Sequence, residues 1–303
     1  MTDPLFLAMY SPPGRGKTLA NIRAFPDALF VAPRGALKCA SYLGYQPKKV
    51  LPAAGIRNIP SIIAKAGQKV DTIVFSDLSI EADNEAKKLR TEYSGWTVWD
   101  KYGDLWLEAR DAAREAQCNV IWEFHESPPR EVEKGGQKVF IPGTFSLAGF
   151  RATEKIPGML DIILRIVPDK TNSIWPYAFS AEPDPAYVTK DRDNVFPRRF
   201  PMNLREPLLR AGYSLPRPKE LEWMDPVVEK LATQILKEDN NKDFDLNAFL
   251  KKSVPPLKKK AKDPRHIRWA MSDAVDRAAI RRLDASMLDN FIDSLTTVIE
   301  DWE

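Results

Sequence analysis

Short apolar runs, each closing on a polar or turn-forming residue, recur along the first two-thirds of the chain. Leu5-Phe6-Leu7-Ala8-Met9-Tyr10 ends at Ser11-Pro12-Pro13, and Ala28-Leu29-Phe30-Val31-Ala32 is bounded by Pro26 and Pro33. Val70-Asp71-Thr72-Ile73-Val74-Phe75 ends at Ser76-Asp77, and Asn119-Val120-Ile121-Trp122-Glu123-Phe124 ends at His125-Glu126. Apolar runs this short, between turn signals, are the pattern of strands buried on both faces. Segments with helical spacing separate them. Leu19-Ala20-Asn21-Ile22-Arg23 is helix-compatible, Ile62, Ile63 and Ala66 share one face of residues 59–69, and 81–90 is a charged helix. Residues 102–117 are strongly amphipathic, with Leu105, Ala109, Ala112, Ala113 and Ala116 among the apolar positions. Strands alternating with helices predict an α/β core, a mostly parallel sheet flanked by helices.

Further along, residues 127–136 are polar and read as a mobile loop, with Val139 to Gly143 returning to the body. Residues 161–167 are dense in core residues, as a helix turn or a strand, and Trp175-Pro176-Tyr177-Ala178-Phe179 reads as a strand. The character changes near Pro216. Leu215-Pro216-Arg217-Pro218 reads as a linker, and helices are predicted over 220–238, 244–252, 266–283 and 284–302. On the last of these, Met287, Phe291, Leu295 and Ile299 recur every fourth residue. A proline- and lysine-rich linker, 253–264, interrupts them. The expected division is an α/β domain over 1–215 and a helical C-terminal extension over 216–303.

The first apolar run carries the clearest chemistry. It leads through Ser11-Pro12-Pro13-Gly14-Arg15-Gly16 into Lys17-Thr18-Leu19, a strand–loop–helix layout with Gly-Lys-Thr at the helix start. This is a phosphate-binding P-loop, with Ser11 where G-x-x-x-x-G-K-[ST] begins with glycine. Glycines let backbone N–H groups approach phosphates, and the helix N-terminus adds unpaired donors. Lys17 is expected on the β/γ-phosphates and the Thr18 hydroxyl on Mg²⁺. Ser11, Pro12, Pro13, Gly14, Arg15, Gly16 and Leu19 complete the predicted ATP cradle. Asp77, ending the third strand run, is the candidate second metal ligand, or else an ordinary turn aspartate. His125, one of 2 histidines, is either a γ-phosphate sensor or a structural histidine. Lys190 and Arg192 alternate on one short segment, so a strand would place both cations on one side, as fingers toward a neighbouring subunit's γ-phosphate or as a basic surface hairpin.

Composition changes this picture little. At 303 residues one or two domains with a sizeable core are expected, and 44% hydrophobic content is ordinary for a soluble protein. No apolar run approaches the roughly 20 residues of a membrane span. Met1-Thr2-Asp3-Pro4 lacks the basic start of a signal peptide, so a cytoplasmic protein is expected. Cys39 and Cys118 lack metal-type spacing and read as buried thiols in a reducing compartment. A net charge of +3 does not by itself argue for nucleic acid. The basic stretch at 251–268 is the best candidate for contacting a phosphate backbone, with a solvated linker as the alternative.

In that order, the loop Ser11–Thr18, the strand ending at Asp77, the strand ending at His125-Glu126, the segment Pro157-Gly158-Met159-Leu160-Asp161 and Lys190-Asp191-Arg192 resemble the phage RecA-like ATPases of the single-strand-annealing Sak type, over about residues 4–215. The resemblance implies a RecA-like core with ATP·Mg²⁺ at a subunit boundary, held by Lys17, Thr18 and Asp77. It also implies Lys190 and Arg192 acting in trans, a homo-oligomer, single-stranded DNA as partner and a role in phage recombination. One departure stands out. Where such ATPases carry a catalytic glutamate, after the strand that follows the P-loop helix, this chain reads Val31-Ala32-Pro33-Arg34-Gly35. Glu126 is then the candidate base, and since general-base help is worth about 10²–10⁴-fold, weak hydrolysis is expected. The competing expectation is an assembly protein in which ATP stabilises a subunit interface.

Overall fold

The computed structural model describes residues 3–53, 55–169, 175–192, 194–238 and 246–281. In chain order the elements are β1 (Phe6–Ser11), α1 (Lys17–Ala24), β2 (Leu29–Ala32), β3 (Lys49–Pro52), α2 (Ile59–Ala66), β4 (Thr72–Phe75), α3 (Leu78–Glu92), α4 (Thr97–Glu115), β5 (Asn119–Ser127), β6 (Arg130–Lys134), β7 (Gln137–Ile141), β8 (Thr144–Phe145), α5 (Phe150–Met159), β9 (Ile162–Pro168), β10 (Tyr177–Ser180), β11 (Lys190–Asp191), β12 (Arg199–Pro201), α6 (Arg205–Arg210), α7 (Met224–Glu238), α8 (Leu246–Lys258) and α9 (Pro264–Arg281). The helix expected at 284–302 lies outside the described residues.

The sheet runs β12-β10-β9-β1-β5-β4-β2-β3, with β11 beside β9 and β8 beside β5. From β9 to β3 every neighbouring pair is parallel. Parallel neighbours need long crossovers, and helices supply them. The β10 and β12 strands close one edge antiparallel. This is the mostly parallel, helix-flanked sheet that the alternation of strand and helix patterns predicts, and helices follow it at the C-terminal end.

The first strand lies at its centre, and all its residues are buried. Its pleat sends Leu7 and Met9 to one face, with α1, α7 and α9. Phe6, Ala8 and Tyr10 go to the other face, with α2, α3 and α4. On that second face aromatic rings interlock: Trp122 meets Phe6 edge-on at 4.8 Å and Trp106 at 5.5 Å.

Two stretches differ from expectation. Residues 127–136 are no loop: β6 and β7 form a hairpin turned by Gly135-Gly136, both with positive φ (61° and 77°). Two left-handed residues in succession are what a tight primed turn demands, and glycine supplies them without a Cβ clash. Helix α8 runs on to Lys258 through Pro255 and Pro256, where a linker is predicted. Both prolines sit in its last turn, where each lacks the N–H that would bond to the carbonyl four residues back. Leu257, 4% exposed, ties that turn to the core.

The C-terminal helices share the apolar cluster of the β1 face, through Met224, Val228 and Leu231 of α7 and Ile267, Ala270 and Ala274 of α9. A buried ionic cluster joins them to α1. The Arg23 guanidinium, 2% exposed, donates to Asp273 at 2.8 Å, Asp276 at 2.5 Å and the Met202 carbonyl at 2.7 Å. Arg217 links Asp273 (3.1 Å) to Asp225 (3.0 Å), which Arg205 also holds at 2.6 Å.

Candidate functional site

Strand β1 delivers the loop and α1 receives it. Ser11 is fully buried and lies in register with His125 on β5. Its hydroxyl donates to the Pro12 carbonyl at 2.9 Å. Gly16 has φ 84° and ψ 19°, and its carbonyl accepts the first helical bond from Ala20 N–H at 2.9 Å. A side chain at Gly16 would be strained, and its Cβ would meet Met202 Cε at 3.0 Å. Pro13, Gly14, Gly16, Lys17, Thr18 and Leu19 line a cavity of about 660 Å³, a size suited to a small organic ligand. The Arg15 guanidinium lies over the Tyr177 ring, 5.0 Å from its centroid.

Lys17 opens α1 and is 6% exposed. Its ammonium folds back onto the Ser11 carbonyl (3.3 Å) and hydroxyl (3.2 Å). Burial lowers its pKa below the ordinary lysine value, opposed by the carboxylates of Glu123, Asp77 and Glu126. Neutral oxygens at such distances hold an ammonium weakly, so Lys17 has little to lose by turning toward a phosphate.

Asp77 lies two residues past the end of β4 and is the N-cap of α3, in the left-handed region at φ 55° and ψ 38°. Among non-glycine residues, aspartate is one that tolerates this region. Its Oδ1 lies 3.3 Å from His125 Nε2, and both residues line the cavity. The His125 backbone N–H donates to Ser79 Oγ at 2.9 Å, fixing the end of β5 against α3. Because β5 lies between β1 and β4, it sets His125 between the P-loop and Asp77. The hydrogen bond from His125, and more weakly the Lys17 charge, lower the Asp77 pKa below its ordinary value against the effect of burial. A depressed carboxylate pKa contributes stability above the unfolded pKa, lost as pH falls through the folded one. His125→Ala removes the leading cause. The Asp77 pKa is expected to rise, and a carboxyl-carbon NMR titration reads the change; an unmoved midpoint would refute the coupling.

A residue that the sequence reading passed over sits beneath this surface. Glu123, on β5, is fully buried. Its Oε2 accepts from Thr18 Oγ1 at 2.8 Å and its Oε1 from Asn21 Nδ2 at 2.6 Å. Desolvation raises its pKa, while the bonds from Asn21 and Thr18 and the Lys17 charge oppose that rise.

The donors fit a hard divalent cation. Mg²⁺ takes oxygen ligands and is usually held by one or two protein groups plus phosphate oxygens and water. The Thr18 hydroxyl and the Asp77 carboxylate supply such oxygens beside the cavity, and among the described residues there is no group of three or more potential His, Cys, Asp or Glu ligands to compete.

The other candidates lie elsewhere. Glu126 follows His125 and points to the opposite face, paired with Arg165 at 2.8 Å. Arg165 in turn stacks on the Tyr187 ring at 3.1 Å. Lys190 Nζ donates to the carbonyls of Leu160 (2.5 Å) and Gly158 (3.3 Å), and Arg192 pairs with Asp161 at 2.6 Å. The β11 strand carrying Lys190 pairs with the start of β9, opposite Ile163, which is in register with Ala8. That level is three residues, about 10 Å of strand, below Ser11. The basic stretch exposes Lys259, Lys260 and Lys262, while Arg265 is tied to Asp263 at 2.6 Å. No helix among the described residues is long and apolar enough to cross a membrane.

No family model matches the sequence, and none of the curated proteins matches it. Among solved structures, the chain is similar to the crystal structure of the RadB recombinase, at 12% identity and a TM-score of 0.34, over 58% of this chain and 79% of that one.

Proposed function

We propose that this chain is an ATP·Mg²⁺-binding, RecA-like protein of the phage single-strand-annealing type, which assembles as a homo-oligomer and acts on single-stranded DNA in recombination. The observation that carries the nucleotide reading is convergence. The P-loop turn, Lys17, Thr18, Asp77 and His125 come from three adjacent strand ends and line one cavity. Lys17 would neutralise the β/γ-phosphates, Thr18 and Asp77 would hold the metal, and His125 would report the γ-phosphate through Asp77. When bound, Mg²⁺ would neutralise charge on the phosphate oxygens.

Oligomerisation is supported by Lys190 and Arg192, which lie below the level of this subunit's own P-loop and would serve a neighbour's nucleotide. DNA contact is supported by the exposed lysines near residue 260.

A second reading is favoured by one observation. Asp77 is the only carboxylate among the described residues lining the cavity; it is paired with His125 and would be taken up by the metal. Glu126 is held by Arg165. Nucleotide then acts as an interface clamp and turnover is slow. Light scattering after size exclusion, with and without ATP·Mg²⁺ and a single-stranded oligonucleotide, tests both readings. Nucleotide-dependent assembly with salt-sensitive DNA binding and DNA-stimulated phosphate release is expected of the first. Assembly without any DNA effect would leave the second, and a monomer throughout would remove the role of Lys190 and Arg192 in trans.

A further inference from the structure

Glu123 occupies an unusual position for a carboxylate. It lies mid-strand on β5 in register with Met9 of β1, 0% exposed and outside the cavity lining. Parallel strands buried on both faces rarely carry an acid there, because an ionised group must recover its lost hydration from fixed partners. Both partners come from α1: the Thr18 hydroxyl at 2.8 Å on one oxygen and the Asn21 amide at 2.6 Å on the other. The carboxylate thus ties the first two turns of the P-loop helix to the sheet.

The bond to Thr18 has a chemical consequence. A threonine hydroxyl has one proton and two lone pairs. Donating that proton to Glu123 fixes the side chain and leaves its oxygen only as an acceptor. A freely rotating hydroxyl could instead spend its proton on a phosphate oxygen, and would then meet a cation in the wrong orientation. We propose that Glu123 is a positioning residue for the nucleotide's divalent cation: it takes the Thr18 proton and so dedicates the Thr18 lone pairs to the metal. Glu123 acts through Thr18, since it does not reach the cavity. The inference rests on the ATP·Mg²⁺ reading above and adds to it a residue that governs metal dependence.

The test is metal linkage, measured on the full chain as the ratio of Kd for a fluorescent ATP analogue in EDTA to its Kd in Mg²⁺. Partners that orient a metal ligand typically matter about 10–100-fold in metal affinity, so Glu123→Gln is expected to lower the ratio by about that factor, with little change in EDTA. Thr18→Val removes the ligand itself and should lower it at least as far, and the double variant no further than Thr18→Val, because Glu123 acts only through Thr18. Circular dichroism checks that each variant is folded. If Glu123→Gln does not fold, Glu123→Asp retains the charge with a shorter reach and is expected to lower the ratio in the same way. Equal weakening in EDTA and in Mg²⁺, or an unchanged ratio, overturns the inference and leaves the nucleotide reading standing. A parent chain that binds no nucleotide under either condition overturns both.

Discussion

Lys17→Ala is expected to weaken ATP·Mg²⁺ binding by about a hundredfold or more while leaving the nucleotide-free protein folded. A charge-assisted hydrogen bond contributes about 1.5–3 kcal/mol, and two to phosphate oxygens would together exceed the roughly 2.7 kcal/mol of a hundredfold change. The folded state loses little by comparison. Lys17 makes only long contacts, to the Ser11 carbonyl and hydroxyl and the Pro12 carbonyl, and its pKa is already lowered by burial. Removing an ammonium so placed relieves a desolvation cost and takes away a partial counter-charge of Glu123. Isothermal titration with the nucleotide and thermal melting without it separate the two effects. A variant that binds as the parent does would refute the P-loop assignment; one that melts far below it would mean that Lys17 holds the fold.

Arg23→Met is expected to do the reverse, unfolding the chain more readily at any nucleotide concentration. Replacing the guanidinium leaves Asp273 and Asp276 buried without it, although Asp273 keeps Arg217. Breaking a buried pair by removing one partner costs about 3–5 kcal/mol. At roughly 2–4 °C per kcal/mol for a chain of this size, the midpoint should fall by about 10 °C. Arg23→Lys should recover only part of the loss, because one ammonium cannot serve two carboxylates, the Met202 carbonyl and Ser272 in the planar geometry a guanidinium offers. A melting temperature within a degree of the parent's would sink the claim that this cluster fastens α9 to α1.

The strands that carry the loop, Asp77 and His125 were legible because they are buried on both faces, which forces an unbroken apolar run with a polar stop. The third strand, Lys49–Pro52, was not. It is an edge strand with Val50 45% and Leu51 40% exposed, and so has neither the apolar density of a core strand nor a clean alternation. The hairpin of β6 and β7 was hidden by its polar composition, its signal being the Gly135-Gly136 pair. Glu123 left a trace that could have been read. An acid inside Val120-Ile121-Trp122-Glu123-Phe124, in a run apolar enough to be a central strand, needs a buried donor, and the P-loop helix is the nearest source. The Arg23 cluster left none, because Asp273 and Asp276 look like any surface pair on an amphipathic helix until Arg23 of α1 is seen reaching both.

That contact also sets what a bound ligand can do at a distance. Met202 touches the loop at Gly16, the Trp175 indole N–H donates to Ser272 Oγ of α9 at 2.7 Å, and both residues form cavity walls. Opening α9 would release the Trp175 indole from Ser272 and strip Arg23 of its carboxylates, loosening one wall of the cavity, so an opened molecule is a poorer receptor. Mass action then couples the two events. Ligand at a hundred times its Kd would make such opening less favourable by about 2.7 kcal/mol, roughly a hundredfold smaller opened population at equilibrium. Occupancy at one end of the sheet becomes amide protection in a helix some 250 residues later in the sequence, without any contact between ligand and helix being required.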